Sequence, residues 1–579
     1  MIFRFMFVPF SIMVYLKPLL KDRVYSSQHF YFFTQCFQLP GHFKSNYTTK
    51  RITRKCVRAI RVLFHNRCNI MGCNIFNFIF QYLWRIMIRK YLLLLLFLLT
   101  CTLSAKANFN FDANCIEAYK AILSLKMNEA KLLIQKEKAQ NPQNGITVLL
   151  DNYIDYFSLL ASESKTDYEK LKDNRSARLS ALENNDSKSP YYLFSQAEVY
   201  IQWSFLKARF GDYVSSSLDA KKAGNLLKEN AGKFPGFLPN RKSLALVDVV
   251  FGSIPANLKS ITRFLGMSGN VQSGIKQLEA LKAELPKTKY SYYNNEVIFF
   301  ICSININVLH NVNDYTKLIG YLSEMDSNSL LKAYLQGYVA SKTAHNDNAI
   351  IFLEAAPKSN EYIKLPAIDY LLGCAKLNRL DNESPSALFA FVKEFRGTNY
   401  IKDACLKISY YYLLQNDPEK YTSYIKMVKS RGYVIDEKDQ LALSEANDVK
   451  PEIDLLKARF YFDGGYYGKA LAQLTNKDVS SVKLLRDKTE YYYRLGRIYD
   501  KTDKLSEAVL NYQRAINLGK ATRYYYSANA ALSIGRIYEG KRDYKRAGDY
   551  YNQALDMRDH QYQNDIDNDA KAGLKRIGE

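Results

Sequence analysis

Histidine, the side chain that most often acts as a catalytic base or a metal ligand, is scarce and scattered in this chain. Beyond residue 107 it occurs at three positions: His310, His345 and His560. Their separation argues against a catalytic triad or a metal centre. The sequence also has no phosphate-binding loop, no H-E-x-x-H zinc motif and no G-x-S-x-G nucleophile motif. We therefore predict that the protein has no catalytic residue, no cofactor and no metal site, and is not an enzyme.

Cysteines do not form a metal-binding pattern either. Near the start, Cys56, Cys68 and Cys73 accompany His65 at spacings that match no paired-thiolate zinc site. The later cysteines are far apart, so we expect them to be buried as small apolar side chains. One disulfide remains an alternative in an oxidising compartment. These later cysteines are Cys115, Cys302, Cys374 and Cys405.

Two arginines are the best candidates for recognising a ligand. Arg497 and Arg536 occupy equivalent places in two similar segments, and we expect Tyr493 and Asn529 on the same face. Paired guanidinium groups would hold an acidic peptide or a C-terminal carboxylate. In the alternative interpretation, an acid three residues further along neutralises each arginine within its own helix. Those acids are Asp500 and Glu539.

The elements that position these arginines are internal repeats. In the segment that begins YYRLGRIYDK, Gly496 is followed at offsets of 3, 12, 16 and 19 by Tyr, Ala, Tyr and Ala, and the segment around Gly535 has the same offsets. Glycine and alanine fit where two antiparallel helices cross closely, while tyrosine fills the gap to the next pair. The predicted packing positions are Tyr492, Gly496, Tyr499, Ala508, Tyr512, Ala515, Gly535, Tyr538, Ala547, Tyr551 and Ala554.

Weaker copies of the same pattern lie upstream. The residues that retain it are Ala118, Ala130 and Ile134; Gly337, Ala349 and Ala356; Ala458, Tyr461 and Ala470; and the block YLLGCAKL at 370–377. Apolar residues recur at helical spacing almost throughout, and alternating strand patterns are scarce. The sequence therefore predicts an all-α fold, an α-solenoid of antiparallel helix pairs.

The two clear copies resemble the tetratricopeptide repeat, a helix pair that commonly mediates protein–protein contacts. The stretch 190–420, with SQAEVYIQW and FLGMSGN, is similar to the inclusion-body clearance protein family. That resemblance implies an all-helical adaptor without an active site. Together, the resemblances predict a protein partner and no nucleic acid.

The net charge of +24 is unevenly distributed. Residues 1–86 contain thirteen basic residues and one acid, whereas residues 108–579 carry 65 basic and 56 acidic residues. The mild excess in the second part does not favour nucleic-acid binding. The first part is rich in Phe, Ile, Arg and Cys and has no helical periodicity, so we interpret it as sequence upstream of the true start. An organelle transit segment and a membrane-surface arm are the alternatives.

Residues 87–107 have the three parts of a secretory signal. A basic start, MIRK, is followed by the apolar run YLLLLLFLL and by the cleavage triplet AKA at 105–107. The apolar run is too short to span a membrane. Cys101 lacks the small preceding residue of a lipid-attachment site, so lipidation there remains an alternative only.

The predicted organisation has five parts. They are an irregular basic extension at 1–86, a signal peptide at 87–107, tetratricopeptide-like helical regions at 108–290 and 291–450, and tetratricopeptide repeats at 451–579. We predict a non-catalytic scaffold that binds proteins in a bacterial cell envelope, in the periplasm or at the outer membrane, with peripheral membrane association as an option. The alternatives are a surface protein that captures glycans or nutrients, and an intracellular adaptor. The partner and the oligomeric state stay open.

Overall fold

The computed structural model describes residues 82–87, 90, 107–254, 266, 268–383 and 385–578. Residues 82–87 are helical and belong to a separate unit, Tyr15–Lys106. The other predictions for the N-terminal part concern residues outside the described ones. They are those for the extension at 1–86 with its cysteines and His65, for the signal segment, and for Cys101. Among the described helices, none is long and apolar enough to cross a membrane.

The chain from residue 107 onward folds into α-helices, and one isolated β-bridge, Asn108 to Asn144, is the only strand-type pairing in its described part. The all-α prediction is confirmed. The first nine helices that the structure describes beyond residue 107 are α1 Ala113–Leu123, α2 Met127–Gln140, α3 Gly145–Ser162, α4 Lys165–Leu171, α5 Asn174–Glu183, α6 Tyr191–Arg209, α7 Tyr213–Lys233, α8 Leu238–Gly252 and α9 Val271–Glu284.

Two short 3-10 segments, Leu285–Lys287 and Ser291–Tyr293, lead into the middle helices. These are α10 Asn294–Asn307, α11 Tyr315–Ser323, α12 Leu330–Lys342, α13 Asn346–Glu354, α14 Ala367–Asn378, α15 Pro385–Glu394, α16 Ile401–Leu414, α17 Pro418–Ser430 and α18 Glu437–Ala446. The last helices are α19 Ile453–Asp463, α20 Tyr467–Thr475, α21 Leu485–Lys501, α22 Leu505–Gly519, α23 Tyr526–Gly540, α24 Tyr544–Asp556 and α25 Gln563–Ile577. Neighbouring helices pack in pairs along this order, which makes the fold an α-solenoid of tetratricopeptide-like repeats.

Eight helix pairs in the described part of the chain share one turn geometry. In each, a small buried residue of the first helix is followed seven residues later by a residue in the left-handed conformation. The small residues are Ala118, Ser204, Gly337, Gly373, Ser409, Ala458, Gly496 and Gly535. The left-handed residues are Leu125, Gly211, Ala344, Leu380, Asn416, Gly465, Asp503 and Arg542.

The same hydrogen bond closes each of these turns. The N–H that follows the left-handed residue donates to the carbonyl five residues earlier, over 2.8–3.0 Å. This is the Schellman arrangement, which satisfies carbonyls left open at a helix end and reverses the chain. The weaker sequence copies at Ala118, Gly337, Gly373 and Ala458 therefore mark genuine pairs. The block FGDY at 210–213 is typical of a turn between two helices, in agreement with the pair at Ser204, and the structure adds the pair with serine at 409.

Close packing explains the glycine of the two strongest copies. A Cβ placed at Gly496 would lie 2.5 Å from the Tyr512 ring, and one at Gly535 would lie 2.6 Å from the Tyr551 ring. Both tyrosines are fully buried. Glycine thus permits the two helices of each pair to approach until the tyrosine of the second lies on the backbone of the first.

Buried apolar residues form one long cluster with members from Cys115 to Phe460, a small separate cluster around Ala349, and two further clusters in the last repeats. The long cluster includes side chains on both sides of the predicted boundary at 290. The regional boundaries at 290 and 450 stay predictions. The cysteines at 115, 302, 374 and 405 are all free thiols, and those at 115, 302 and 405 are fully buried, as the sequence indicated.

Several turns also contact segments far away in the chain. The carbonyl of Leu125 accepts from the N–H of Ile363 over 3.0 Å. The left-handed turns at Ala344 and Gly465 touch, because a Cβ at Gly465 would lie 2.2 Å from the Ala344 carbonyl oxygen. We call these contacts the long-range ties. They join repeats that are not neighbours in sequence.

A third long-range tie is ionic and buried. Arg209, at the end of α6, forms an ion pair with Glu163, which follows α3. The other oxygen of that carboxylate accepts from Asn399 Nδ2 over 2.8 Å. The loop before α16 is thereby fixed to the ends of α3 and α6.

Candidate partner-binding site

Three of the four predicted ligand-binding residues lie together on the first helices of the last repeats. Tyr493 on α21 is buried, and its hydroxyl accepts a hydrogen bond from Asn529 Nδ2 on α23 over 3.0 Å. The Arg497 guanidinium lies 4.1 Å from the centroid of the Phe462 ring on α19 and 5.9 Å from that of Tyr493. Cation–π contacts of this kind hold a guanidinium in place while leaving its N–H donors available to a ligand.

Arg536, the fourth predicted residue, has a different environment. Its guanidinium pairs with Asp569 of α25 over 2.7 Å, and both side chains are about half exposed. An exposed ion pair of this type contributes little to stability. Arg536 is therefore accessible to a partner, in competition with Asp569.

The acids next to the two arginines bind tyrosines of the second helix in each pair. Asp500 accepts from the Tyr512 hydroxyl over 3.3 Å, and Glu539 accepts from the Tyr551 hydroxyl and from Arg576. Burial raises the pKa of Asp500. The hydrogen bond from Tyr512 and the positive charges of Lys501, Arg497 and Arg536 reduce this increase only in part. The acid four residues after the packing glycine is thus a further repeated position, which links the two helices of its pair.

A polar cavity of about 400 Å³ opens among the first helices of the preceding repeats. We call it the inner cavity. Its lining comes from α12, α14, α16, α18 and α19, and the loop before α25 adds Tyr562. The charged lining residues are Lys342, Asp403, Lys407, Glu437, Lys438, Arg459 and Asp463. The sequence did not point to this cavity, because its residues are dispersed over more than two hundred positions.

Ion pairs and hydrogen bonds order the floor of the inner cavity. Asp403 pairs with Lys407 over 2.9 Å and accepts from the Tyr370 hydroxyl. Lys438 Nζ donates to the same hydroxyl over 3.2 Å and lies 5.6 Å from the centroid of the Tyr400 ring. Burial alone would raise the pKa of Asp403, but Lys407, Lys438 and Tyr370 together lower it to about 2. Asp403 is therefore ionised in the folded protein.

A carboxylate from α18 fixes the start of α16 beside this floor. Asp439 accepts from the backbone N–H groups of Tyr400 and Asp403, the latter over 3.1 Å. These are donors that no carbonyl of α16 can satisfy. Burial raises the pKa of Asp439, and the two N–H donors reduce this increase only in part, so that the pKa is about 8.

A second charged cluster is completely enclosed in the first repeats. Lys242 lies between Glu198 and Glu296, at 2.9 and 2.6 Å, and is 1% exposed. The hydroxyls of Tyr119 and Tyr153 donate to these carboxylates. Burial and the charge of Glu198 raise the pKa of Glu296 despite Lys242. The cluster joins five helices and has no opening for a ligand, so its role is structural.

One group in the described part of the chain has side chains close enough to bind a metal: Asp112, Cys115 and Glu137. Its atoms are already engaged. Asp112 caps α1 by accepting from the Cys115 N–H, and Glu137 accepts from Asn144 Nδ2 over 2.9 Å. Burial and the two acids raise the pKa of the Cys115 thiol well above its usual value. A protonated thiol is a poor metal ligand, so this group fits a structural role better than a metal site.

Two segments match the family model for the tetratricopeptide repeat, at residues 489–519 and 528–560. They coincide with the helix pairs α21–α22 and α23–α24. A search of the curated proteins found no match. The resemblance to the inclusion-body clearance family therefore rests on the residue pattern alone.

Proposed function

We propose that this chain is a non-catalytic scaffold, exported to a bacterial cell envelope, that binds a protein through the first helices of its C-terminal repeats. The observation that carries the proposal is the pair of matched tetratricopeptide repeats, whose first helices present Arg497 and Arg536. Repeats of this kind bind partners along an extended surface.

The partner that best fits this surface is an acidic segment or a C-terminal carboxylate. Arg497 rests on Phe462 and Tyr493, an arrangement that holds the guanidinium by its ring contacts. Arg536 pairs with the exposed Asp569, which an incoming carboxylate would replace. Bidentate pairing of arginine with a carboxylate supplies both affinity and orientation.

The glycan-binding alternative has less support. Sugar sites commonly use exposed aromatic rings, and the one tryptophan beyond residue 107 is Trp203. That side chain is 1% exposed, and its indole N–H donates to Asn152 over 2.9 Å. Trp203 is therefore a core residue and offers no platform to a sugar ring.

Photo-crosslinking in intact cells tests the binding surface. A photoreactive amino acid replaces Arg536 in one variant and Leu510 in the other, because both positions are about half exposed. We expect a discrete adduct from position 536 that is absent from position 510, and we expect Arg497→Ala to weaken binding of the identified partner. Equal adducts from both positions, or none from 536, would contradict the proposed surface.

The setting is tested independently by locating the protein and sequencing its first residues. The signal pattern at 87–107 predicts a mature chain that begins at Asn108 and is recovered in an envelope fraction. A chain that keeps residues 87–107 and stays in the cytoplasm would make the intracellular adaptor the correct interpretation.

A further inference from the structure

The inner cavity lies beside the Arg497 surface, because α19 contributes to both. Arg459 and Asp463, one turn apart on α19, line the cavity. Phe462 precedes Asp463 in the chain, and its ring centroid is 4.1 Å from the Arg497 guanidinium. Burial disfavours the charged form of Arg497, but the surrounding tyrosines and Asp463 raise its pKa. A segment bound to Arg497 would therefore lie at the mouth of the cavity.

Charges that line the cavity already have partners within the protein. Asp403 pairs with Lys407 over 2.9 Å, and Arg459 binds Glu445 through two hydrogen bonds of 2.9 and 3.1 Å. Despite its burial, the pKa of Asp403 is lowered to about 2, because Lys407 and Lys438 both act on it. A charged group that entered the cavity would have to compete with these pairs and would lose its water, which is costly. The cavity therefore favours an uncharged occupant.

The rest of the lining gives the cavity an apolar side beside its polar one. The apolar residues are Leu371, Cys374, Ala375 and Leu441. The volume of about 400 Å³ lies within the range of about 300–1,000 Å³ that is usual for ligand pockets. A purely apolar side chain would cover the polar side without hydrogen bonding to it. An aromatic ring with a hydroxyl group suits both sides, and tyrosine is among the residues that most often anchor an interface in a pocket.

We propose that the inner cavity holds a tyrosine side chain of the acidic segment that Arg497 binds, an assignment that rests on the proposed function. The carboxylates of the segment lie on Arg497, and its tyrosine enters past Asp463, which is exposed at the cavity rim. The hydroxyl both donates and accepts hydrogen bonds, so it replaces water that the polar lining loses. The lining has four basic and three acidic residues, so a side chain of either charge would meet like charges there.

Peptides that differ at one residue test this assignment. The parent peptide has five alanines followed by three aspartates with a free C-terminal carboxylate, and a fluorophore on its N-terminus reports binding to the full chain by anisotropy. Tyrosine replaces each alanine in turn, because its spacing from the carboxylates determines whether it reaches the cavity. We expect one or two of these peptides to bind about tenfold more tightly than the parent. At the best position, lysine or glutamate should lose this gain, and phenylalanine should bind less tightly than tyrosine.

A protein variant with a filled cavity provides the complementary test. Ser341 lies on α12, lines the cavity and is half-buried, so Ser341→Phe would take up part of its volume. Ser423→Phe is the matched control, because Ser423 is exposed on α17 and is not part of the lining. We expect the tyrosine gain to disappear in Ser341→Phe and to remain in Ser423→Phe. Arg497→Ala should weaken the tyrosine peptide and the parent peptide by the same factor.

Cys374 gives a direct readout of occupancy in the unmodified chain. It lines the cavity and is partly exposed, whereas Cys115, Cys302 and Cys405 are at most 1% exposed. Burial raises the pKa of the Cys374 thiol, so labelling with iodoacetamide is best followed at mildly alkaline pH by mass spectrometry of the Cys374 peptide. We expect the best tyrosine peptide to slow this labelling and the parent peptide to leave it unchanged. This measurement remains informative if Ser341→Phe fails to fold.

Several results would overturn the assignment. They are equal binding of the parent and of every tyrosine peptide, a tyrosine gain that survives in Ser341→Phe, and labelling of Cys374 that the tyrosine peptide does not slow. If one of these occurs while Arg497→Ala still weakens binding of the parent peptide, the proposed function stands without this tyrosine site. No binding of any peptide at about 1 mM, the scale of weak binding, would overturn both.

Discussion

Replacing Gly496 with alanine should destabilise the α21–α22 pair, although alanine is the better helix former. The new Cβ would lie 2.5 Å from the Tyr512 ring, inside van der Waals contact. Overpacking of this kind costs about 1–3 kcal/mol, and the gain in helix propensity returns about 1 kcal/mol. We expect a net loss of about 0–2 kcal/mol in the free energy of opening this pair.

Gly320→Ala is the matched control for this change. Gly320 lies within α11 and is exposed, and a Cβ there would meet no atom within 4 Å. Only the helix-propensity term remains, so this variant should be more stable by about 1 kcal/mol. The two variants differ in the close approach of Tyr512 and not in the chemical change itself.

Hydrogen exchange followed by mass spectrometry is the appropriate assay, because it reports the opening free energy of each helix pair separately. We expect faster exchange in α21 and α22 of Gly496→Ala, and slower exchange in α11 of Gly320→Ala. Gly535→Ala should repeat the first result in α23 and α24, since its Cβ would lie 2.6 Å from Tyr551. Equal stabilisation by all three substitutions would refute the packing argument.

Three further predictions concern buried charges and the long-range ties. The pKa of Asp403 falls from the usual 3.8 to about 2 in the folded protein, so its contribution of about 2 kcal/mol is complete above about pH 4 and is lost as the pH falls towards 2. Denaturant titrations should therefore show a loss of stability in acid that is larger, by about that amount, in the unmodified protein than in Asp403→Asn. Glu163→Gln deprives the buried Arg209 of its carboxylate and should lower the free energy of unfolding by about 3–5 kcal/mol. Hydrogen exchange should become faster around Asn399, and unchanged exchange there would show that this tie is unimportant. Gly465→Ala should lower the stability more than Gly496→Ala, because the new Cβ would meet the backbone carbonyl of Ala344 and because Gly465 has a φ of 81°. A smaller loss of stability in thermal denaturation would show that the two turns separate easily.

The sequence could predict the helix pairs where glycine and tyrosine mark the close approach. Gly496 and Gly535 have the same partners at the same offsets, and the structure confirms their packing. The pair with Ser409 was missed because serine is small enough to fill the same place without giving a recognisable pattern, and the pair with Ser204 was indicated only by its turn, FGDY at 210–213. The left-handed turn residue was also unpredictable, since Leu125, Ala344 and Arg542 have no preference for that conformation.

The sites were harder to predict, for physical reasons that differ between them. Tyr493, Arg497 and Asn529 lie together because adjacent repeats place equivalent positions side by side. The inner cavity depends on contacts between repeats that are distant in sequence. Its residues acquire a common environment only after turns such as those at Ala344 and Gly465 have met.

The long-range ties also constrain how a chain of this kind can change in evolution. Repeat proteins commonly gain or lose a unit, because each repeat contacts only its neighbours. Here, inserting or deleting one pair between Leu125 and Ile363, or between Ala344 and Gly465, would move one partner of a tie away from the other. The number of repeats within these intervals should therefore be fixed among homologues of this protein.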